Sequence, residues 1–179
     1  YYPHKDPSTL SDAVVQLKQR GIDAHARVTM ESNEFHPWPS GARDLAKLQL
    51  AERNGQVKLG SIIYKDLPGV YHNADIFVFP SISETFGFPL VEAMAAKLPI
   101  IAADTLINQE ICGPTALYYN PSDATSLANK VEELLNRPDL YRWMSENGEK
   151  RVKEKFTWRG HADRLVSILE ETAKTETKV

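Results

Sequence analysis

With 179 residues, 42% of them hydrophobic and 25% charged, the chain has the composition of a globular protein and the length of one domain. Its 21 basic and 24 acidic residues leave a net charge of -3, which argues against a general nucleic-acid binder. The lone cysteine, Cys112, excludes an internal disulfide framework and a thiolate metal cage and suits a reducing, cytoplasmic compartment. No apolar run reaches the ~18 residues that cross a bilayer, and no signal-peptide pattern opens the chain.

In chain order, a helix beginning near Pro7 and carried by Asp12 to Lys18 is closed by Gly21. Ala26 to Met30 reads as a strand, Ala42 to Asn54 as a helix ending at Gly55, and Val57 to Gly60 as a second short strand. Ile76 to Phe79 and Ile100 to Ala103 are apolar without alternation, the pattern of parallel strands buried on both faces. Between them, Leu90, Val91, Met94, Ala95 and Leu98 fall on one helical face, and Ala116 to Tyr119 gives a last short strand. From Asp123 onward the chain is helical: Asp123 caps a helix to Asn136, and Pro138 opens a charged helix ending near Phe156. Thr157 caps a final helix to about Glu171, leaving a polar, fraying tail over 172–179. The loop Glu31 to Ser40 is the expected mobile excursion. Alternating strands and helices predict one doubly wound, mostly parallel α/β layer with extra C-terminal helices. A βαβ layer begins with a strand, and only Tyr1 to Asp6 precede the first helix. The expectation is therefore a single domain, 1–179, whose first strand is missing.

The stretch that carries chemistry is Glu84-Thr85-Phe86-Gly87-Phe88-Pro89-Leu90-Val91-Glu92, which follows the buried Ile76 to Phe79 strand. Gly87 leaves the backbone open to a ligand, and Pro89 fits the first position of a helix. The amides of Leu90 and Val91 are then expected to be free, at a helix end that favours phosphate. In an open α/β sheet, ligands bind beyond the carboxyl ends of the strands. Two carboxylates, Glu84 and Glu92, bracket this anion site. Phosphate repels them, whereas sugar hydroxyls donate to them, so a ligand with a hydroxyl-bearing ring on each side of a diphosphate satisfies both: a nucleotide sugar.

This stretch resembles the Glu-x7-Glu signature of family-4 retaining glycosyltransferases of the GT-B fold, and the resemblance covers nearly the whole chain as the C-terminal, donor-binding domain. Gly60, Leu67, Tyr71, Ala74-Asp75, Pro80-Ser81, Pro99-Ile100-Ile101, Glu110-Ile111, Pro121, Asp123 and Leu127-Ala128 fall in the family's order, and Phe156-Thr157-Trp158 resembles its marker before the last helix. The resemblance implies that Glu84 contacts the transferred sugar and that Lys5 binds the diphosphate, the pair forming the catalytic set. It further implies that the backbone of Phe86, Gly87, Phe88 and Leu90 holds sugar and phosphate, that Ile62 meets the nucleobase, and that Glu92 holds the ribose. It places an arginine, with the missing strand, just ahead of Tyr1. Lys97-Leu98 and Ile107-Asn108 stand where the family often has glycines, on the side facing the acceptor.

On this reading the helix start and Lys5 take the place of a metal ion, so no metal or other cofactor is expected, and a surface polysaccharide intermediate is the acceptor suggested by resemblance. The acceptor pocket belongs to an N-terminal domain outside this chain, which alone is expected to be inactive. His4, His25, His36, His72 and His161 show no metal-ligand spacing, and neither a G-x-G-x-x-G nor a Walker-type loop occurs. Lys150 to Lys155 reads as a solvated helix face, with peripheral contact to anionic lipid at the inner membrane face as the alternative. Two rival readings remain: a glycoside hydrolase using Glu84 and Glu92 as its carboxylate pair, and a noncatalytic Rossmann-like binding module.

Overall fold

A computed structural model describes residues 1–36 and 38–176. Two parallel sheets form the layer. In one, β1 (Ala26–Val28) pairs with β2 (Val57–Leu59); in the other, the order is β3 (Phe77–Phe79), β4 (Ile100–Ala103), β5 (Ala116–Tyr119). Around them run α1 (Pro7–Gln19), α2 (Gly41–Arg53), α3 (Leu67–His72), α4 (Phe88–Ala95), α5 (Leu106–Cys112), α6 (Ala124–Leu135), α7 (Pro138–Lys155) and α8 (Trp158–Glu176).

The doubly wound character is written in β4. All four of its residues are buried, because successive side chains enter different cores. Ile101 and Ala103 pack with Ala13 and Leu17 of α1 and Leu127, Ala128 and Leu134 of α6. Ile100 and Ala102 pack with Leu90, Ala93 and Met94 of α4 and Ile111 and Cys112 of α5. A third cluster, Val28, Phe35, Leu48, Ala51 and Val57, covers one face of the β1–β2 pair, and Tyr1 stacks on Phe35 within it. Burial pushes the Cys112 thiol up to about 12, so it is a packing residue and not a nucleophile.

The helix starts follow their side chains. Asp6 adopts a left-handed conformation and accepts the Thr9 amide at the start of α1. Thr105 and Asp123 accept the Asn108 and Ser126 amides for α5 and α6. Thr157 accepts the Gly160 amide at the start of α8, as expected.

Four expectations are corrected. The predicted single sheet is two sheets, with no strand pairing between β1 and β3. In line with the sequence reading, Tyr1 to Asp6 hold no strand: a 3-10 turn, Pro3–Lys5, leads into α1. β1 stops at Val28, because the chain then turns so that the Gly60 amide can bond to the carbonyls of Val28 and Met30. α4 begins at Phe88, which makes Pro89 its second residue. α8 continues to Glu176, since Glu170, Glu171, Ala173 and Lys174 are good helix formers; within the expected tail, 177–179 lie outside the described residues, as does Pro37 of the Glu31 to Ser40 loop.

Candidate functional site

Three segments converge at the carboxyl end of β3: the Pro3–Lys5 turn, the loop Pro80 to Gly87, and the start of α4. Ser81 and Asn108, both buried, fasten them. The Ile82 amide donates to the His4 carbonyl at 2.8 Å, and the Ser81 hydroxyl reaches the same carbonyl at 3.3 Å. Asn108 donates its amide to the Ser81 and Ala103 carbonyls, tying this loop to the end of β4. Because the turn is held there, Lys5 meets a residue 79 positions away: its Nζ lies 2.5 Å from Glu84 Oε1. Burial alone would raise the Glu84 carboxyl, but the Lys5 ammonium, the Ser81 hydroxyl and the charge at His4 outweigh it and hold the group below the usual carboxylate range. Glu84 is therefore an anion at neutral pH.

Gly87 turns the chain into α4 with φ 79° and ψ 56°. A side chain there is strained twice, by the left-handed backbone and because a Cβ would stand 3.1 Å from Leu90 Cδ1. One expected donor is not free. The Leu90 amide donates to the Gly87 carbonyl at 2.9 Å, a tight 3-10 closure of the first turn, and the Leu90 side chain is fully buried. What this end offers a ligand is the Gly87 turn and the exposed Phe88. Phe88 tilts against Phe86, whose ring meets Phe156 edge-on at 5.8 Å.

Beyond the turn, Glu92 accepts the Tyr71 hydroxyl on Oε2 at 2.9 Å. Burial and this carboxylate push the Tyr71 phenol well above its ordinary value, so it keeps its proton. Ile62 is half-buried in the loop leaving β2, next to the exposed Ile63 and Tyr64, and among the described residues no hydrogen bond joins it to Lys5, Glu84 or Glu92. The structure thus brings Lys5, Glu84, Phe86, Gly87, Phe88 and Leu90 together and sets Glu92 on the same helix, while Ile62 lies on the separate loop after β2. The sequence reading had Ser81 only as a member of an ordered motif and Asn108 on the side facing the acceptor, and gave neither a part in fastening this loop, because a bond to a carbonyl leaves no spacing signature; Tyr71 and Phe156 stood in its ordered motifs without a partner.

Among the described residues, no group of three or more His, Cys, Asp or Glu is placed to hold a metal ion. Likewise, no helix is long and apolar enough to cross a membrane. In the basic stretch of α7, Arg151 is committed to the carbonyls of Glu110 and Ile111, and Lys150 and Lys153 pair with Glu154 and Glu149. A hollow of about 480 Å³ between α1 and α2 is lined by Asp12, Val15, Lys47 and Leu50. It is open and bridged by the Asp12–Lys47 ion pair, a solvated groove away from the site.

The family model described as "Glycosyl transferases group 1" matches residues 1–151. The MMP alpha-(1->4)-mannosyltransferase of Mycolicibacterium hassiacum is 27% identical over 172 residues, which is 94% of this chain and 40% of that protein. The O-antigen chain mannosyltransferase B of Escherichia coli is 30% identical over 145 residues, 76% of this chain and 38% of that protein. Among solved structures, the sucrose-phosphate synthase of Thermosynechococcus elongatus superimposes with a TM-score of 0.78 at 27% identity, covering 97% of this chain and 44% of that one. The chain spans less than half the length of these relatives. These matches are to transferases and do not favour the hydrolase reading of the two glutamates. The fold, the ordered motifs around Gly87 and the family match lead to one conclusion: the chain belongs to the group 1 glycosyl transferases, with the fold of a GT-B C-terminal domain.

Proposed function

We propose that this chain is the donor-binding half of a retaining glycosyltransferase, which transfers a sugar from a nucleoside diphosphate to an acceptor hydroxyl. The observation that carries the reading is the meeting of Lys5 and Glu84 at the carboxyl end of β3, beside the Gly87 turn. A cation, an ionised hydroxyl acceptor and a helix start within one turn of each other suit a sugar attached to phosphate. In the transfer, the bond from the anomeric carbon to the diphosphate oxygen breaks, and a bond to the acceptor oxygen forms. The acceptor's proton leaves with a base or with the departing diphosphate. Charge grows on that diphosphate, and Lys5 and the backbone at Gly87 stabilise it there. Glu84 takes hydroxyls of the sugar, Glu92 takes those of the ribose, and Ile62 borders the nucleobase. The alpha-(1->4) linkage in the name of the Mycolicibacterium hassiacum relative suits an α-linked donor whose configuration is kept.

On the same reading, the acceptor site lies in a further N-terminal domain, transfer needs no metal, and the work is done in the cytoplasm, with peripheral contact to the membrane face left to Lys155 and its neighbours. Surface polysaccharide is the proposed destination of the sugar, in keeping with the O-antigen relative.

Titration calorimetry with UDP-, GDP- and ADP-sugars in the presence of EDTA tests the reading. One of them is expected to bind. Glu92→Ala weakens binding of the sugar-linked and the free nucleotide alike, by about 10-fold, whereas Glu84→Ala weakens only the sugar-linked form. Absence of binding, or identical behaviour of the two variants, overturns it.

A further inference from the structure

The first glutamate of the pair has a charged partner; the second is held by a neutral one that the motif does not contain. Tyr71 sits on the short helix α3, with its ring edge-on to Phe77 at 5.7 Å and packed on the cluster below α4. From this anchored ring the hydroxyl reaches Glu92 Oε2 at 2.9 Å. Among the described residues, Oε1 takes no hydrogen-bond partner.

We propose that Tyr71 is a positioning residue: it fixes the Glu92 carboxylate in one rotamer, with Oε2 engaged and Oε1 presented, and so makes this end of the site selective for a ligand with free ribose hydroxyls. The inference rests on the donor-site reading and deepens it. The logic lies in the donor and acceptor inventory. A half-buried glutamate on the first turns of a helix has several rotamers, and freezing one of them costs entropy that binding would otherwise have to supply. Tyr71 imposes that cost on folding, where the packing of its ring against Phe77 offsets it. The phenol is also a one-way device. It keeps its proton, and toward a carboxylate, which can only accept, it acts as the donor. The partner that completes this arrangement is an O–H donor, such as the 2′- and 3′-hydroxyls of a ribose. A phosphate or a carbonyl supplies none.

The test is calorimetric binding of UDP, GDP and ADP, and of their 2′,3′-dideoxy counterparts, to the unsubstituted chain and to Tyr71→Phe, with thermal unfolding followed in parallel. Phenylalanine keeps the ring and its packing and removes only the hydroxyl. The expected result is a loss of about 3- to 10-fold for the ribonucleotide that binds, the size of one hydrogen bond to a partly exposed charged group, with no change for its dideoxy form. In a Glu92→Ala background the same substitution is expected to have no further effect, since the interaction would already be absent. Equal loss for both forms, or undiminished loss in the Glu92→Ala background, assigns Tyr71 a merely structural role and overturns this inference alone. Failure of the unsubstituted chain to bind any of the six probes overturns the donor-site reading and this inference with it. Should Tyr71→Phe unfold, Tyr71→Leu, which also removes the hydroxyl and keeps an apolar side chain, serves in its place with the same criteria.

Discussion

The two sheets are built from the same parallel pairing but are covered differently. The β3–β4–β5 sheet has helices on both faces, and its central strand is wholly buried. The β1–β2 pair has one covered face; on the other, Arg27 and Lys58 stand opposite each other in register, both exposed. The difference teaches where function can be carried. A loop at the end of a doubly covered strand is fixed from both sides, and the Lys5–Glu84 pair and the Gly87 turn sit there. The exposed loop after β2, with Ile62, has less beneath it.

That contrast can be broken or sharpened. The largest effect is expected from Ile101→Ala in β4, which should cost about 2–5 kcal/mol in denaturant unfolding because it opens a cavity between α1 and α6. A loss below 1 kcal/mol would show that the doubly covered half is not the stabilising one. Gly87→Ala should cost about 1–2 kcal/mol in the same assay, from the left-handed backbone and the contact with Leu90. It should also weaken nucleotide binding.

A smaller effect is expected from acid. A carboxyl group held below its ordinary value stabilises the fold at pH values above the ordinary carboxylate range, and this contribution disappears as pH falls through the lowered value. Unfolding of the unsubstituted chain and of Glu84→Gln should therefore differ by roughly 0.5–1 kcal/mol at neutral pH and converge as the pH falls through the lowered value. The smallest effect should come from the sparsely covered half. Arg27→Glu replaces a like-charge neighbour of Lys58 with an opposite one, and is expected to gain about 0.2–1 kcal/mol, a gain that shrinks in salt.

Much of this arrangement was legible. The unbroken run Ile100 to Ala103 announced a strand buried on both faces, and Asp123 and Thr157 announced their helices. The glutamates bracketing Gly87 pointed to the proposed donor site because chemistry of that kind leaves a local spacing. What was not legible depends on contacts between distant residues. The break between β1 and β3 reflects edges that do not pair, which no single segment encodes. The Leu90 amide looked free because a helix start leaves orphan donors in general, and only the tight Gly87 turn shows that this one is used. The polar residues after Glu171 read as fraying, yet polarity is no stop signal when the residues favour helix. Tyr71 gave no sign of its part because its partner lies 21 residues downstream on another helix.

The edge-on contact between Phe86 and Phe156 has a consequence for how far influence travels. Phe156 lies near the Arg151 guanidinium, 6.0 Å from its ring centre, and Arg151 grips the last carbonyls of α5, where Gly113 leaves it room. The aromatic wall beside the glycine turn therefore leans on a relay that begins at the far end of another helix. A change in the last third of the sequence would reach the proposed binding surface through those leaning rings, and truncation ahead of Phe156 would leave the wall without its prop.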